Sequence, residues 1–299
     1  MPFGPPDTLD LWRAFHAHFT AATGSALRLE LDDWVALLAR RRGPRRPLDC
    51  ILEPSVSIGP RGILPRLRVA AFPGEPRGAL LRSEGPLLLR VFAAQHQLFG
   101  VPLDPEVARL LGGFGRLSLP TGFELDEEGQ LDMKAYVRLH ASPPEERRRL
   151  VAGLVERSAA ARALPVDAVR WQDVDMVGFS TRAGAVSTVK VYVHADPTAG
   201  FRAGGLPAVP ASPPLVALSG GQALAVLDLC APRARPPKWD FRLRDELLTG
   251  PVVVRRLGGL VSGEAAGRVH HFLADPPFHV AVVAAALRAE TLTLYLEIA

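Results

Sequence analysis

The chain has 299 residues, 48% of them hydrophobic, with 27 glycines and 28 prolines, enough apolar residues for a sizeable core and enough breakers for many turns. Its formal charge of +4 and pI of about 9.5 suit an anionic partner without naming one. Cys50 and Cys230 form no C-x-x-C pair, residues 1–12 lack the pattern of a signal peptide, and no apolar run approaches the ~20 residues of a helical membrane span, so neither a disulfide framework nor a zinc site is expected and the chain reads as cytoplasmic.

Taken in chain order, residues 8–22 and 32–41 carry helical patterns, followed by a strand-like run over 51–57 and another over 66–72. Helices are predicted over 83–99 and 105–112, with N-termini at Ser83 and at Asp104-Pro105. A turn over 125–130 leads to a strand over 133–140, and a helix over 144–163 precedes a turn at 181–184 and a strand over 189–194. Residues 196–215 are rich in Pro, Gly and Ala and read as a loop. Strands over 223–229 and 238–244 follow, then helical stretches within 245–273, a turn at 287–290 and a last strand over 292–297.

The runs at 66–72, 133–140, 189–194, 238–244 and 292–297 recur every ~50–65 residues, each with a strand and turn before it, as the returning strand of a hairpin would. Each alternates polar and apolar with period two. Lys134, Tyr136, Arg138 and His140 share one face of the second. The third sets Lys190, Tyr192 and His194 together, and the fourth Lys238, Asp240, Arg242 and Arg244. Arg66 and Arg68 lie on the polar face of the first, Thr293, Tyr295 and Glu297 on that of the last. Lysine occurs only at 134, 190 and 238 and tyrosine only at 136, 192 and 295, so every lysine and tyrosine of the chain falls on one of these faces.

Two architectures fit this pattern. One is an open sheet with its polar face in water. The other is a closed ten-stranded antiparallel β-barrel with a polar lumen and helices outside, an α+β fold.

The chain resembles the ABBA-type prenyltransferases, whose barrel repeats paired helices and paired strands five times, and among them the cyanobactin-type peptide prenyltransferases. The resemblance spans nearly the whole chain and rests on 51–57 leading to Arg66-Leu67-Arg68, on Lys134-x-Tyr136 and Lys190-x-Tyr192, and on Thr293-x-Tyr295. It implies a single barrel domain over 1–299 that transfers a dimethylallyl or geranyl group from isoprenyl diphosphate to a nucleophilic side chain of a peptide, usually cyclic. It implies Mg²⁺ accompanying the diphosphate, a monomer, and neither nucleic acid nor membrane as partner. Arg68, Lys134, Lys190 and Lys238 would hold the diphosphate, with Arg66 and Arg138 as weaker candidates. Tyr136, Tyr192 and Tyr295 would shield the allyl cation, and Glu53 would act as base or orienter for the acceptor. Asp49 is the fallback because Pro54 could bend the strand. Asp240 departs from the pattern by standing where a fourth tyrosine belongs, which puts the register of that hairpin in question.

Two other functions stay open at this point: the same fold acting on a small aromatic metabolite or free indole amino acid, and a non-catalytic, β-rich basic binding protein. Arg40-Arg41-Arg42, Arg45-Arg46 and Arg147-Arg148-Arg149 could touch nucleic acid, although solvated helix faces and ends explain them equally. Motifs for a nucleophile elbow, a zincin helix or a dinucleotide loop are missing. Gly112-Gly113-Phe114-Gly115 reads as a helix stop, and His270, His271 and His279 lack metal-ligand spacing and read as structural.

Overall fold

A computed structural model describes residues 8–27, 31–34, 50–60, 62–73, 85–113, 121–138, 142–199, 216–217, 219–231, 238–243, 248–249, 252, 263–274, 279–286 and 292–297. Asp49, Ser83, His140, Arg244, the 287–290 turn, most of 196–215 and the arginines at 40–46 lie outside them.

Helix α1 (Thr8–Thr23) turns Trp12, Phe15 and Phe19 to the core from one face, the spacing an amphipathic helix requires. Strands β1 (Cys50–Gly59), β2 (Gly62–Ile63) and β3 (Leu67–Pro73) follow. Pro54 sits inside β1, yet the strand continues through it. Among the described residues, β1 pairs β3 over Cys50–Ser55 and takes up β12 only from Ser55 onward. The missing N–H of Pro54 therefore falls just before the second partner begins.

Helices α2 (Gly85–Leu98) and α3 (Pro105–Gly112) come next. The expected start of α3 is present: Asp104 accepts a hydrogen bond from the Glu106 N–H at 2.8 Å, and Pro105 opens the first turn. Strands β4 (Thr121–Leu125) and β5 (Leu131–Arg138) form the second hairpin around Asp126, which accepts from the N–H groups of Glu128 and Gln130.

Helix α4 (Pro144–Glu156) ends seven residues short of the expected 163. Ser158 donates its hydroxyl to the Val186 carbonyl, and the Ala163 N–H bonds the Leu229 carbonyl. Sheet-edge pairing thus replaces the helix that an Ala-rich segment would otherwise continue, a tertiary override of local propensity.

Strands β6 (Val174–Arg182) and β7 (Ala185–His194) are joined by Ala183 and Gly184, both at positive φ as in a type I′ turn. Strands β8 (Ser219–Cys230), β9 (Lys238–Leu243) and β10 (Leu248–Thr249), helix α5 (Gly263–Ala274), and strands β11 (His279–Ala286) and β12 (Leu292–Glu297) complete the chain.

All the strands belong to one curled antiparallel sheet. Its order runs β11-β12-β1-β3-β4-β5-β6-β7-β8-β9, with β2 on β1 and β10 on β11. Strand β9 also pairs β11, from Lys238 opposite Ala286 to Arg242 opposite Val282. The five expected returning strands are β3, β5, β7, β9 and β12, each paired with its predecessor in its hairpin.

The two faces differ as their sequence alternation requires. The apolar face packs under the helices in two clusters. In one, Phe15, Phe19, Trp34 and Phe272 meet Leu67, Phe123, Phe241 and Leu294. In the other, Phe92, Leu111 and Leu154 meet Val137, Val177 and Val191. On the opposite face, the side chains of Lys134, Lys190 and Lys238 are only 16%, 20% and 24% exposed. An open sheet with this face in water would leave lysines mostly bare. The sheet curls around them instead.

Candidate functional site in the sheet interior

The sheet register decides which of these polar side chains meet. Ser55 lies opposite both Tyr295 and Arg68, and Arg68 lies opposite Glu124. Lys134 is opposite Gly122 and Ser180, two residues along from Glu124. Tyr136 and Lys190 flank Gly178 from either side, Lys190 faces Asp228, and Val226 stands between Tyr192 and Lys238. The antiparallel ladders therefore bring the chain's three lysines and three tyrosines onto the interior face.

Each lysine meets a carboxylate. Lys134 forms an ion pair with Glu124, Lys190 Nζ lies 3.6 Å from Asp228 Oδ1, and Lys238 Nζ donates to Asp240 Oδ1 at 2.9 Å. Glu124 also meets Arg68 Nε at 3.0 Å and Arg66 Nε at 3.6 Å. Burial would raise the Glu124 pKa, but Arg68, Lys134 and Arg66 together hold it well below the usual carboxylate range. Burial, with Arg68 and Lys190 as like-charged neighbours, brings Lys134 down to about 8, against the opposing pull of Glu124. For Lys238 the same burial is outweighed by Asp240, and its pKa is raised.

Three phenols line the same space. The rings of Tyr136 and Tyr192 meet edge to face, 6.2 Å apart at 66°. Lys238 Nζ stands 5.8 Å from the centre of the Tyr295 ring and donates to its hydroxyl at 3.4 Å. Burial raises the pKa of all three tyrosines, so they remain neutral phenols at physiological pH. Tyr136 packs with Met176, Tyr192, Leu224 and Val226, a small apolar cluster on this otherwise polar face. Gly178 makes room for the tyrosines: a Cβ there would come within 3.1 Å of Tyr192 and 3.3 Å of Tyr136.

Glu53 lies on β1 opposite Ala70, and its charge acts on both Tyr136 and Tyr295. Arg138 shares the polar face of β5, opposite Met176. The fourth hairpin keeps the expected register, with Lys238 and Asp240 both turned inward: Asp240 is 8% exposed and is the partner of Lys238. The departure at Asp240 supplies a counter-charge where an aromatic ring was expected.

Sequence reasoning missed Glu124 and Asp228, the partners of two lysines. Both sit on strands that precede a returning strand, outside the five runs whose alternation defines the polar face. The signal was present in Phe123-Glu124-Leu125, where one charge alternates with two apolar residues.

The arginines at 147–149 and the histidines near 270 lie away from this interior face. Arg147 donates to the Ser142 carbonyl at 3.0 Å and the Val174 carbonyl at 2.6 Å, so it ties α4 to the sheet. Arg148 pairs with Asp167. The histidines of α5, His270 and His271, are exposed, and no group of three or more His, Cys, Asp or Glu among the described residues could hold a metal ion. No helix among the described residues is long and apolar enough to cross a membrane.

No sequence-family profile matches the chain, and no curated protein is detectably similar to it in sequence. Solved structures are similar in fold. The crystal structure of 5-dimethylallyltryptophan synthase from Streptomyces coelicolor aligns over 98% of each chain with a TM-score of 0.60 at 15% identity. A 6-dimethylallyl tryptophan synthase aligns over 98% of this chain and 97% of its own, with a TM-score of 0.61 at 17% identity. The 6-dimethylallyltryptophan synthase from Micromonospora olivasterospora, solved in complex with DMASPP and Trp, aligns over 97% of each chain with a TM-score of 0.60 at 14% identity. At these identities the similarity establishes a shared fold.

Proposed function

We propose that the chain is a prenyltransferase that moves a prenyl group from an isoprenyl diphosphate to an indole-bearing acceptor inside a closed ten-stranded barrel formed by the whole chain as one domain. The observation that carries this reading is the convergence of every lysine and tyrosine of the chain on one enclosed face. The pairing of β9 with β11 supports closure.

Arg68, Lys134, Lys190 and Lys238 hold the diphosphate. At an effective dielectric near 20, one charge pair at 4 Å is worth about 4 kcal/mol, so several converging cations stabilise the negative charge that develops as the leaving group departs. The bond between the prenyl C1 and the bridging oxygen breaks, with its electron pair leaving on the diphosphate. Tyr136, Tyr192 and Tyr295 face the allyl cation and exclude water from it, each ring contributing about 0.5–2 kcal/mol. An acceptor carbon forms the new bond, and Glu53 takes the released proton.

The described residues do not fit a protein-held ion: no group of three or more His, Cys, Asp or Glu comes together among them, and Glu124, Asp228 and Asp240 are each paired with a lysine. Magnesium is therefore proposed only as an ion carried by the diphosphate and water, and no step of the reaction depends on it.

The structures similar in fold include dimethylallyltryptophan synthases, one of them in complex with DMASPP and Trp, which favours an indole over the cyclic peptide implied by the sequence resemblance. Incubation of the purified protein with dimethylallyl diphosphate and, separately, free tryptophan, a linear Trp peptide and a cyclic Trp peptide, followed by mass spectrometry, tests this. The expected result is prenylated free tryptophan. Product with the peptides alone would return the acceptor to the peptide class, and no product from any acceptor with either dimethylallyl or geranyl donor would contradict the transfer itself.

A further inference from the structure

Of the three carboxylates paired with lysines, Glu124 stands apart. Asp228 and Asp240 each meet one lysine, whereas Glu124 meets Lys134, Arg68 and Arg66 together. A site read as binding a multiply charged anion thus holds an anion of its own, 13% exposed, at the centre of its densest cation cluster.

Three cations crowded into a partly buried space repel one another and lose hydration, so they need a counter-charge to be held there without a ligand. Glu124 supplies it, and the opposition of Arg68 and Glu124 across β3 and β4 fixes the distance. Yet the carboxylate does not satisfy the cluster. The Nε groups of Arg66 and Arg68 are buried with no hydrogen-bond acceptor among the described residues, even though Arg68 Nε is within 3.0 Å of Glu124 Oε1. The contact is one of charge without hydrogen-bond alignment. Buried donors left in this condition are costly until another oxyanion reaches them.

We infer that Glu124 is the resident counter-ion of the diphosphate site: it holds Arg66, Arg68 and Lys134 together while the lumen is empty, is displaced from them by the incoming diphosphate, and takes them back as the product diphosphate leaves. The inference rests on the reading of the lumen as a prenyl diphosphate site. Displacement needs only rotation of the Glu124 side chain, because the ladder holds the backbone of β4. Glu124 is in this sense a positioning residue. It lowers affinity for donor and product diphosphate alike, and it makes the leaving group easier to expel.

Calorimetric titration at neutral pH with inorganic diphosphate and, separately, dimethylallyl thiolodiphosphate tests this on the wild type, Glu124→Gln and Glu124→Asp. Neutral pH lies below the Lys134 pKa of about 8 in the wild type. Because Glu124 raises that pKa, the titrations are repeated at about pH 6, where Lys134 keeps its charge in Glu124→Gln as well. Removing one like charge from the site should tighten binding of both ligands by about tenfold in Glu124→Gln, with an equal fall in the inhibition constant of inorganic diphosphate. Glu124→Asp, which keeps the charge, should remain close to wild type. Weaker or unchanged binding by a folded Glu124→Gln protein would overturn the proposal, since a carboxylate that merely aligned the cations would give that result.

Should Glu124→Gln not fold, a crystal structure of the wild type with inorganic diphosphate decides. Glu124 should have left Arg68 and Lys134, and its persistence on both beside the bound anion would refute displacement. The two ligands separate this inference from the one beneath it. If thiolodiphosphate binds no tighter than inorganic diphosphate in any variant, the prenyl reading fails, while a tightening of inorganic diphosphate in Glu124→Gln still upholds the counter-ion.

Discussion

Lys134 is the residue on which pH should act. Its ammonium is buried among Glu124, Arg68 and Lys190, and its pKa is brought down to about 8 from the ordinary 10.5. Two consequences have opposite signs. Between about 8 and 10.5 the unfolded chain holds the proton and the folded chain does not, so this group makes stability rise with pH across that window. Diphosphate binding instead needs the ammonium, so affinity should fall as pH rises through about 8. Titrations with dimethylallyl thiolodiphosphate at neutral and alkaline pH should show that fall in the wild type. Lys134→Arg should show a much smaller one, because a guanidinium stays charged. An equal fall in both proteins would assign the titration to another group. Rarity was what made this lysine conspicuous in the sequence: in a chain that writes most positive charge as arginine, three lysines on inward-facing strands stand out. Its partner Glu124 was invisible by the same criterion, since glutamate is common and the meeting of β3, β4 and β5 depends on register.

At the scale of single elements, β6 acts as a spacer between two aromatic strands. Gly178 pairs with Tyr136 on one side and Lys190 on the other, and the tyrosine rings close over the space a side chain would fill. An added methyl would stand 3.1 Å from Tyr192 and 3.3 Å from Tyr136, so both rings must give by a few tenths of an ångström. Gly178→Ala should raise the fraction of donor lost to hydrolysis, and the larger Gly178→Val should raise it further, as water gains access to the cation. The ratio of free prenol to prenylated acceptor measures this; an unchanged ratio in both variants would remove these two rings from the shield. The returning strands were legible because alternation with period two survives in each of them. The end of α4 was not, because the stop comes from Ser158 and Ala163 bonding to distant strands rather than from a local breaker. Pro54 misled in the other direction: its effect depends on where along β1 the pairing with β12 starts, at Ser55, which no local pattern encodes.

At the scale of the molecule, period-two alternation alone left open whether the polar face looks into water or into a lumen, because both architectures require it. The partial burial of all three lysines shows a sheet curled around its polar face, and the return of β9 onto β11 is the observation on which the proposed closure rests. The same curvature weakens the alternative of a basic surface for nucleic acid, since phosphate backbones would need cations on an accessible outer face. Donor affinity is the most direct test of the central claim that these converging strands form one prenyl diphosphate site. Dimethylallyl thiolodiphosphate should be titrated by calorimetry into the wild type, Lys190→Ala and Lys238→Ala. The account predicts saturable micromolar binding to the wild type and a loss of about tenfold or more in each variant, the ~1.4 kcal/mol expected from removing one partly buried charge contact. A well-folded wild-type protein that binds no thiolodiphosphate, or variants that bind it as tightly as the wild type, would contradict it.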